Sequence, residues 1–310
     1  MSETSEPRSL KLRADLVLVG VTFIWGSSFI VVKNVLREEP PLAFLFLRFG
    51  LAALLVFPAL ARRKRTPSLL RDGVVVGCLL ASGMALQVVG QLDTTASKAA
   101  FLTGLSVILT PFAAYIRTRR LPSLENGIGI ALASAGFVLL TFPKGGGPIN
   151  RGDLCMLACG VVFAFYIVEL AQRAPVHGTL GLTAVQLSTV AGVAAVLSLA
   201  LRTPWASGLW VAAAELRPLQ WDRGFLTSVF YLSTIGTVGT FFGQTWAQRR
   251  MSATHAAILF ALEPVFAALL AAPLLGERLG SRGFAGGALV LAGIVASELR
   301  LRHAAVSRER

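Results

Sequence analysis

Charged residues are scarce in this 310-residue chain: Asp, Glu, Lys and Arg together make up 15% of it, where a soluble domain carries about 25%. That shortage argues against a water-facing surface over most of the molecule, and against disorder, which requires high charge and low hydrophobicity. Acidic residues are the scarcer sign, 16 against 29 Lys and Arg, for a net charge of +13. Cys78, Cys155 and Cys159 are too few for a disulfide scaffold, and all lie inside apolar runs. Cys155 and Cys159 are four apart on one helix face, but no nearby His completes a metal site. They read as small packing residues, and neither metal nor cofactor is expected. A Gly-rich phosphate-cradling loop is missing, which argues against direct ATP drive. Alternation of apolar and polar residues over about ten positions is missing too, which argues against a transmembrane β-barrel.

Hydrophobic sequence fills the chain instead, 55% of all residues, with a mean hydropathy of +0.69. A helix needs about 20 mostly apolar residues to cross the roughly 30 Å hydrocarbon layer of a bilayer. Ten segments meet that length, near 14–33, 42–61, 73–92, 97–117, 124–142, 153–172, 180–201, 225–247, 253–275 and 283–299. Between them lie Pro, Gly and charge, as in Glu38-Glu39-Pro40-Pro41 and Gly145-Gly146-Gly147-Pro148, which suit helix ends. The expected fold class is an all-α polytopic membrane protein with ten transmembrane helices. Trp205, Trp210 and Trp221, in the one longer connection, read as interfacial aromatics. The N-terminal run, with Trp25-Gly26 and no small-residue cleavage site, reads as a retained first span rather than a signal peptide. With the N-terminus in the cytoplasm, the inner loops collect about 18 Lys and Arg and the outer loops about 10, leaving Arg48 inside a span. Both termini are then cytoplasmic, and the basic excess is an anchoring pattern, not a nucleic-acid surface.

The two halves resemble each other. A shift of 157 lays Gln87 and Gln91 on Gln244 and Gln248, Ala99-Ala100 on Ala256-Ala257, Gly129 on Gly286 and Gly136 on Gly293. A shift of 138 lays Asp15-Leu16 on Asp153-Leu154 and Arg48 on Gln186. The organisation expected is a tail at 1–13, a first repeat at 14–142, a linker at 143–152, a second repeat at 153–299 and a tail at 300–310. Five spans per repeat is an odd number, so the second copy enters the bilayer from the opposite side. Two inverted five-helix repeats, related by a pseudo-two-fold axis in the membrane plane, are the architecture of alternating-access carriers.

Motifs along nearly the whole chain carry a more specific likeness. They are Trp25-Gly26-Ser27-Ser28-Phe29, Arg48, Thr103-Gly104-Leu105-Ser106 running to Thr110-Pro111, Glu263-Pro264-Val265-Phe266, Gly276-Glu277-Arg278-Leu279 and Ala292-Gly293. In these the sequence resembles the drug/metabolite transporter superfamily, in its EamA-type ten-helix branch. It departs from a fully repeated pattern at Arg120, which stands where the second copy has Glu277. The resemblance implies secondary transport of small metabolites such as amino acids, nucleosides or drugs, often outward.

Polar residues inside spans are the candidates for the pathway, because each is costly in hydrocarbon. Glu263 falls near mid-bilayer, where a carboxyl is a candidate proton-exchanging group for coupling transport to protons. Pro264 beside it frees a carbonyl near Phe260. Arg48 can snorkel outward, pair with a carboxylate or meet an anionic group of a substrate, and with Glu263 would suit a zwitterion. Gln87 and Gln91 lie toward the outer face and Gln244 and Gln248 toward the inner, placed to line alternate gates or to bond between helices. Trp25 and Tyr166 are the aromatics favoured for stacking on a planar substrate. Gly129, Gly136, Gly286 and Gly293 are explained by close helix packing. No nucleophile or metal partner accompanies His177 or His255, so an intramembrane enzyme is disfavoured, and no charge ring supports a channel. The function expected is secondary active export of a small metabolite such as an amino acid. A drug or nucleoside exporter is the alternative. The setting expected is a bacterial inner membrane.

Overall fold

In a computed structural model of the protein, residues 8–61, 66–94, 96–119, 121–141, 149–275 and 281–306 are described. Their regular structure is helical: α1 (Arg8–Val35), α2 (Pro41–Ala61), α3 (Pro67–Asp93), α4 (Ala96–Thr118), α5 (Leu124–Thr141), α6 (Arg151–Arg173) and α7 (Thr179–Leu201) come first. After a connection containing the single turn α8 (Ala212–Glu215) follow α9 (Arg223–Ser233), α10 (Thr240–Gln248), α11 (Ala253–Phe260), α12 (Leu262–Leu275) and α13 (Ser281–Val306). Six helices among the described residues are long and apolar enough to cross a membrane: Ser9–Val35, Pro41–Pro58, Pro67–Asp93, Arg151–Val176, Thr179–Leu201 and Arg223–Gln248. The Arg62–Arg65 cluster, Arg120 and the Gly276–Leu279 motif lie outside the described residues.

Local chemistry sets where these helices begin. Thr66 caps α3 through Leu69 N, with Pro67 at the first helical position, where its missing donor costs nothing. Asn150 and Asp153 form a capping box at the start of α6. Asp222 and Ser252 cap α9 and α11 through Phe225 N and His255 N. The helix that starts at Ala253 is interrupted at Ala261, just before Pro264, a residue type with no backbone donor for a helix interior. A second interruption was not foreseen: between α9 and α10, residues Thr234–Gly239 wind as a π-helix. Such widened turns free backbone carbonyls and often mark functional positions.

The packing has a two-fold pattern. α3 packs on α6 as α10 packs on α1, α4 on α6 as α11 and α12 on α1, and α3 on α7 as α9 on α2. Exchanging each helix for its repeat counterpart maps these pairs onto one another, and leaves α2 with α7 and α5 with α13. The glycines of the last pair show the symmetry at atomic scale. A Cβ on Gly136 would stand 2.5 Å from the Gly286 carbonyl oxygen, and one on Gly293 would stand 2.6 Å from that of Gly129. No side chain fits at either position, so glycine is what lets α5 and α13 lie backbone to backbone.

Candidate functional site

Near the middle of the bundle is a cavity of about 680 Å³. α1 contributes Trp25, Ser28, Phe29 and Val32, and α2 contributes Arg48. Met84, Gln87 and Gln91 come from α3, and Thr103 and Ser106 from α4. The second half supplies Phe163, Tyr166 and Ile167 from α6, Phe241 and Gln244 from α10, and Phe260 and Glu263 from the α11–α12 break. Of the residues singled out in the sequence, Trp25, Arg48, Gln87, Gln91, Tyr166, Gln244 and Glu263 thus face one space, and Gln248 does not.

Arg48 is 3% exposed. Among the described residues it pairs with no carboxylate: Nε donates to Thr237 Oγ1 at 2.8 Å and Nη2 to the Gly236 carbonyl at 3.0 Å. Both acceptors belong to the π-helical segment, whose geometry thereby holds the guanidinium at the cavity wall. A cation anchored on neutral groups keeps its charge uncompensated and available to an anionic ligand. Glu263 is partly buried in the first turn of α12, facing the same cavity. Trp25 stands between Phe241 and Phe260, with ring centroids 5.5 and 5.6 Å away, an aromatic wall for an apolar or planar group.

Below the cavity lies a buried polar network that sequence reading missed as a unit. The Tyr166 hydroxyl donates to Gln186 Oε1 at 3.2 Å and Gln244 Oε1 at 3.1 Å, while Gln186 Nε2 donates to Thr245 Oγ1 at 3.0 Å. Gln244 Nε2 donates to Gln248 Oε1 at 3.0 Å, and Gln248 Nε2 to the Ile167 carbonyl at 3.0 Å. Gln186 had a signal, its alignment with Arg48 across the repeats, although nothing in the sequence showed what it touches. Gln87 and Gln91, the counterparts of Gln244 and Gln248, sit at the opposite end. There Lys33 Nζ donates to the carbonyls of Gln91 and Thr94, and Oε1 of Gln91 is buried without a partner.

At the end of the bundle that carries Thr94 and Leu36, the long connection folds back onto the first half. Glu215, fully buried, accepts from Leu42 N at 2.8 Å, Ala43 N at 3.0 Å and Ser198 Oγ at 2.5 Å, and so caps α2 from the second repeat. Gln220 N donates to both carboxylate oxygens of Glu39 at 3.2 Å. Burial raises the Glu39 carboxyl above its ordinary range, outweighing that bond. Trp205 and Trp221 are exposed there, and the ring of Trp210 carries the Arg151 guanidinium 4.3 Å from its centroid. At the other end the two histidines do have partners. His177 Nε2 lies 2.8 Å from Asp72 and His255 Nε2 2.9 Å from Asp15. Glu169 bonds Arg117 at 2.7 Å and pairs with Arg173. No group of three metal-ligating side chains occurs among the described residues.

Comparison with known proteins agrees with this architecture. A transporter of Archaeoglobus fulgidus is 28% identical over 291 residues, covering 94% of this chain and 87% of the relative. An inner membrane transporter of Escherichia coli K12, YedA, is 27% identical over 286 residues, covering 87% of each. An S-adenosylmethionine/S-adenosylhomocysteine transporter of Chlamydia muridarum is 26% identical over 136 residues, 42% of each chain. A crystal structure superposes with a TM-score of 0.72 over 92% of this chain and 97% of its own, at 17% identity, a likeness of fold. The model of the EamA-like transporter family matches twice, over residues 12–142 and again over 150–298. With both halves of a helical membrane bundle matched in tandem, the chain is a member of the EamA-like transporter family.

Proposed function

We propose that the protein is a secondary active exporter of a small zwitterionic metabolite, of which an amino acid is the simplest, working by alternating access. One observation carries the reading: an uncompensated cation, Arg48, and a carboxyl, Glu263, open on a single cavity with Trp25, Phe241 and Phe260 along its wall. An α-carboxylate against Arg48 and an α-ammonium against Glu263 would each replace lost water with a charged partner. The chlamydial relative supports the class, since its substrates are amino acids that also bear a planar base. In this reading α4 (23 residues), α5 (18 residues), the α11–α12 pair and α13 complete ten spans in two inverted sets of five. Both termini face the cytoplasm of a bacterium, and Glu263 exchanges the coupling proton.

Reconstitution tests it. Purified protein in proteoliposomes should show saturable counterflow of labelled amino acids, accelerated by a pH gradient. Glu263→Gln should abolish the response to the gradient while leaving counterflow measurable, because an amide retains the cavity's shape but has no titratable proton. Failure of counterflow across amino acids, nucleosides and cationic drugs, or ion currents far above carrier turnover, would overturn the reading.

A further inference from the structure

The cavity lining is nearly symmetric across the repeats. Under the shifts of 138 and 157, Trp25 pairs with Phe163, Gln87 with Gln244 and Ser106 with Glu263, all of them in the lining. Every other lining residue likewise has its counterpart there except Val32, Arg48 and Gln91. The counterparts of these three, Leu170, Gln186 and Gln248, do not line it; all six are buried, the first three at 4%, 3% and 1% exposure and their counterparts at 0%. The asymmetry is therefore confined to three positions. The first repeat presents those positions to the cavity, and the second has them sealed, two of them inside the amide network.

From this we infer that the two glutamine pairs form one exchangeable latch, closed in the second repeat and open in the first. The inference rests on the alternating-access reading and adds the groups that hold each state. In the closed half, Gln248 reaches the carbonyl of Ile167 while the Tyr166 hydroxyl ties Gln244 to Gln186. In the open half, Gln91 Oε1 is buried and unpaired, and the residue matching Ile167 is Phe29, whose carbonyl lies on the same cavity-lining helix. When the repeats exchange conformations, Gln91 closes on the Phe29 carbonyl and buries Val32, and release of Gln248 uncovers Leu170. Two of the bonds broken in the second half, Gln244–Gln248 and Gln248–Ile167, have counterparts that Gln87, Gln91 and the Phe29 carbonyl can form in the first. A buried amide left unpaired in each state is the expected signature of such a device.

The register mates Val32 and Leu170 are matched reporters. In a background with Cys78, Cys155 and Cys159 replaced by alanine, Val32→Cys and Leu170→Cys are made singly and reacted, in detergent, with a small water-soluble methanethiosulfonate. The thiol at position 32 should react faster than that at 170. Adding Gln248→Leu should speed reaction at 170 about three- to tenfold and slow it at 32, the effect of losing one or two intramembrane hydrogen bonds. Adding Gln91→Leu should not speed reaction at 170 and should leave position 32 as reactive or more so. Tyr166→Phe removes one hydroxyl, with little change of shape, and should act in the direction of Gln248→Leu, which keeps the test open if that variant does not fold. Changes of the same sign at both reporters in every variant, or no change, would overturn the latch. No substrate is needed, so a failure of the transport assay and a failure of the latch are read separately.

Discussion

Arg48 and Gln186 occupy the same register in the two repeats, and the contrast between them isolates what the charge does. Both are buried and hydrogen-bonded, Arg48 to the π-helical segment and Gln186 to Tyr166 and Thr245. A neutral amide at position 48 can still donate to the Gly236 carbonyl or to Thr237, and burying it costs less than burying a guanidinium. Arg48→Gln should therefore leave thermal unfolding of the purified protein within about 1 kcal/mol of the parent, on either side. A carboxylate-bearing substrate should lose about tenfold or more in affinity, because a charge-assisted bond becomes a neutral one. Thermal-shift titration measures both quantities on the same sample.

Among the helices, the α5–α13 pair is the one whose sequence requirement is sharpest. Leucine, alanine and valine could fill its surfaces in many ways, but the carbonyls of Gly129 and Gly286 stand where a Cβ at Gly293 or Gly136 would go. Gly136→Ala should push the two helices apart and destabilise by about 1–3 kcal/mol, the usual cost of overpacking. Gly127→Ala, on the same helix with nothing within 4 Å of the added carbon, should be neutral or slightly stabilising, since alanine is the better helix former. The difference in melting temperature between the two variants checks the packing argument, because composition changes identically in both.

Across the whole molecule, the repeats are joined by more than their shared cavity. Glu215 of the second half satisfies the first backbone donors of α2 in the first half, with Ser198 donating to the same carboxylate. Glu215→Ala leaves two buried N–H groups and a hydroxyl without an acceptor, so unfolding free energy should fall by about 2–3 kcal/mol. Glu215→Gln, which keeps an acceptor, should recover part of that loss. A thermal scan of the two variants separates the cap from mere bulk. This tie lies at the end of the bundle where the cavity comes within a turn of Asp93.

Hydropathy and repetition determined a great deal before any coordinate was known. Each apolar run has to satisfy its backbone within a helix to enter a bilayer, so the helices were legible, as was the Pro, Gly and charge that separates them. The duplicated glutamines and glycines stood out because residue type in hydrocarbon is so constrained that a repeated polar residue is informative. The tertiary structure decided the rest. A side chain's partners depend on which helices meet, and sequence spacing gives the face of one helix but not its neighbour. Only the packed bundle could bring Arg48 to the π-helical turn, set Glu263 on the same cavity and bond Gln248 to Ile167 while leaving Oε1 of Gln91 unpaired. It also paired His177 and His255 with aspartates far away in the chain. Matching glutamines of the two repeats make different contacts here, and that difference arises from long-range packing, which no local pattern encodes.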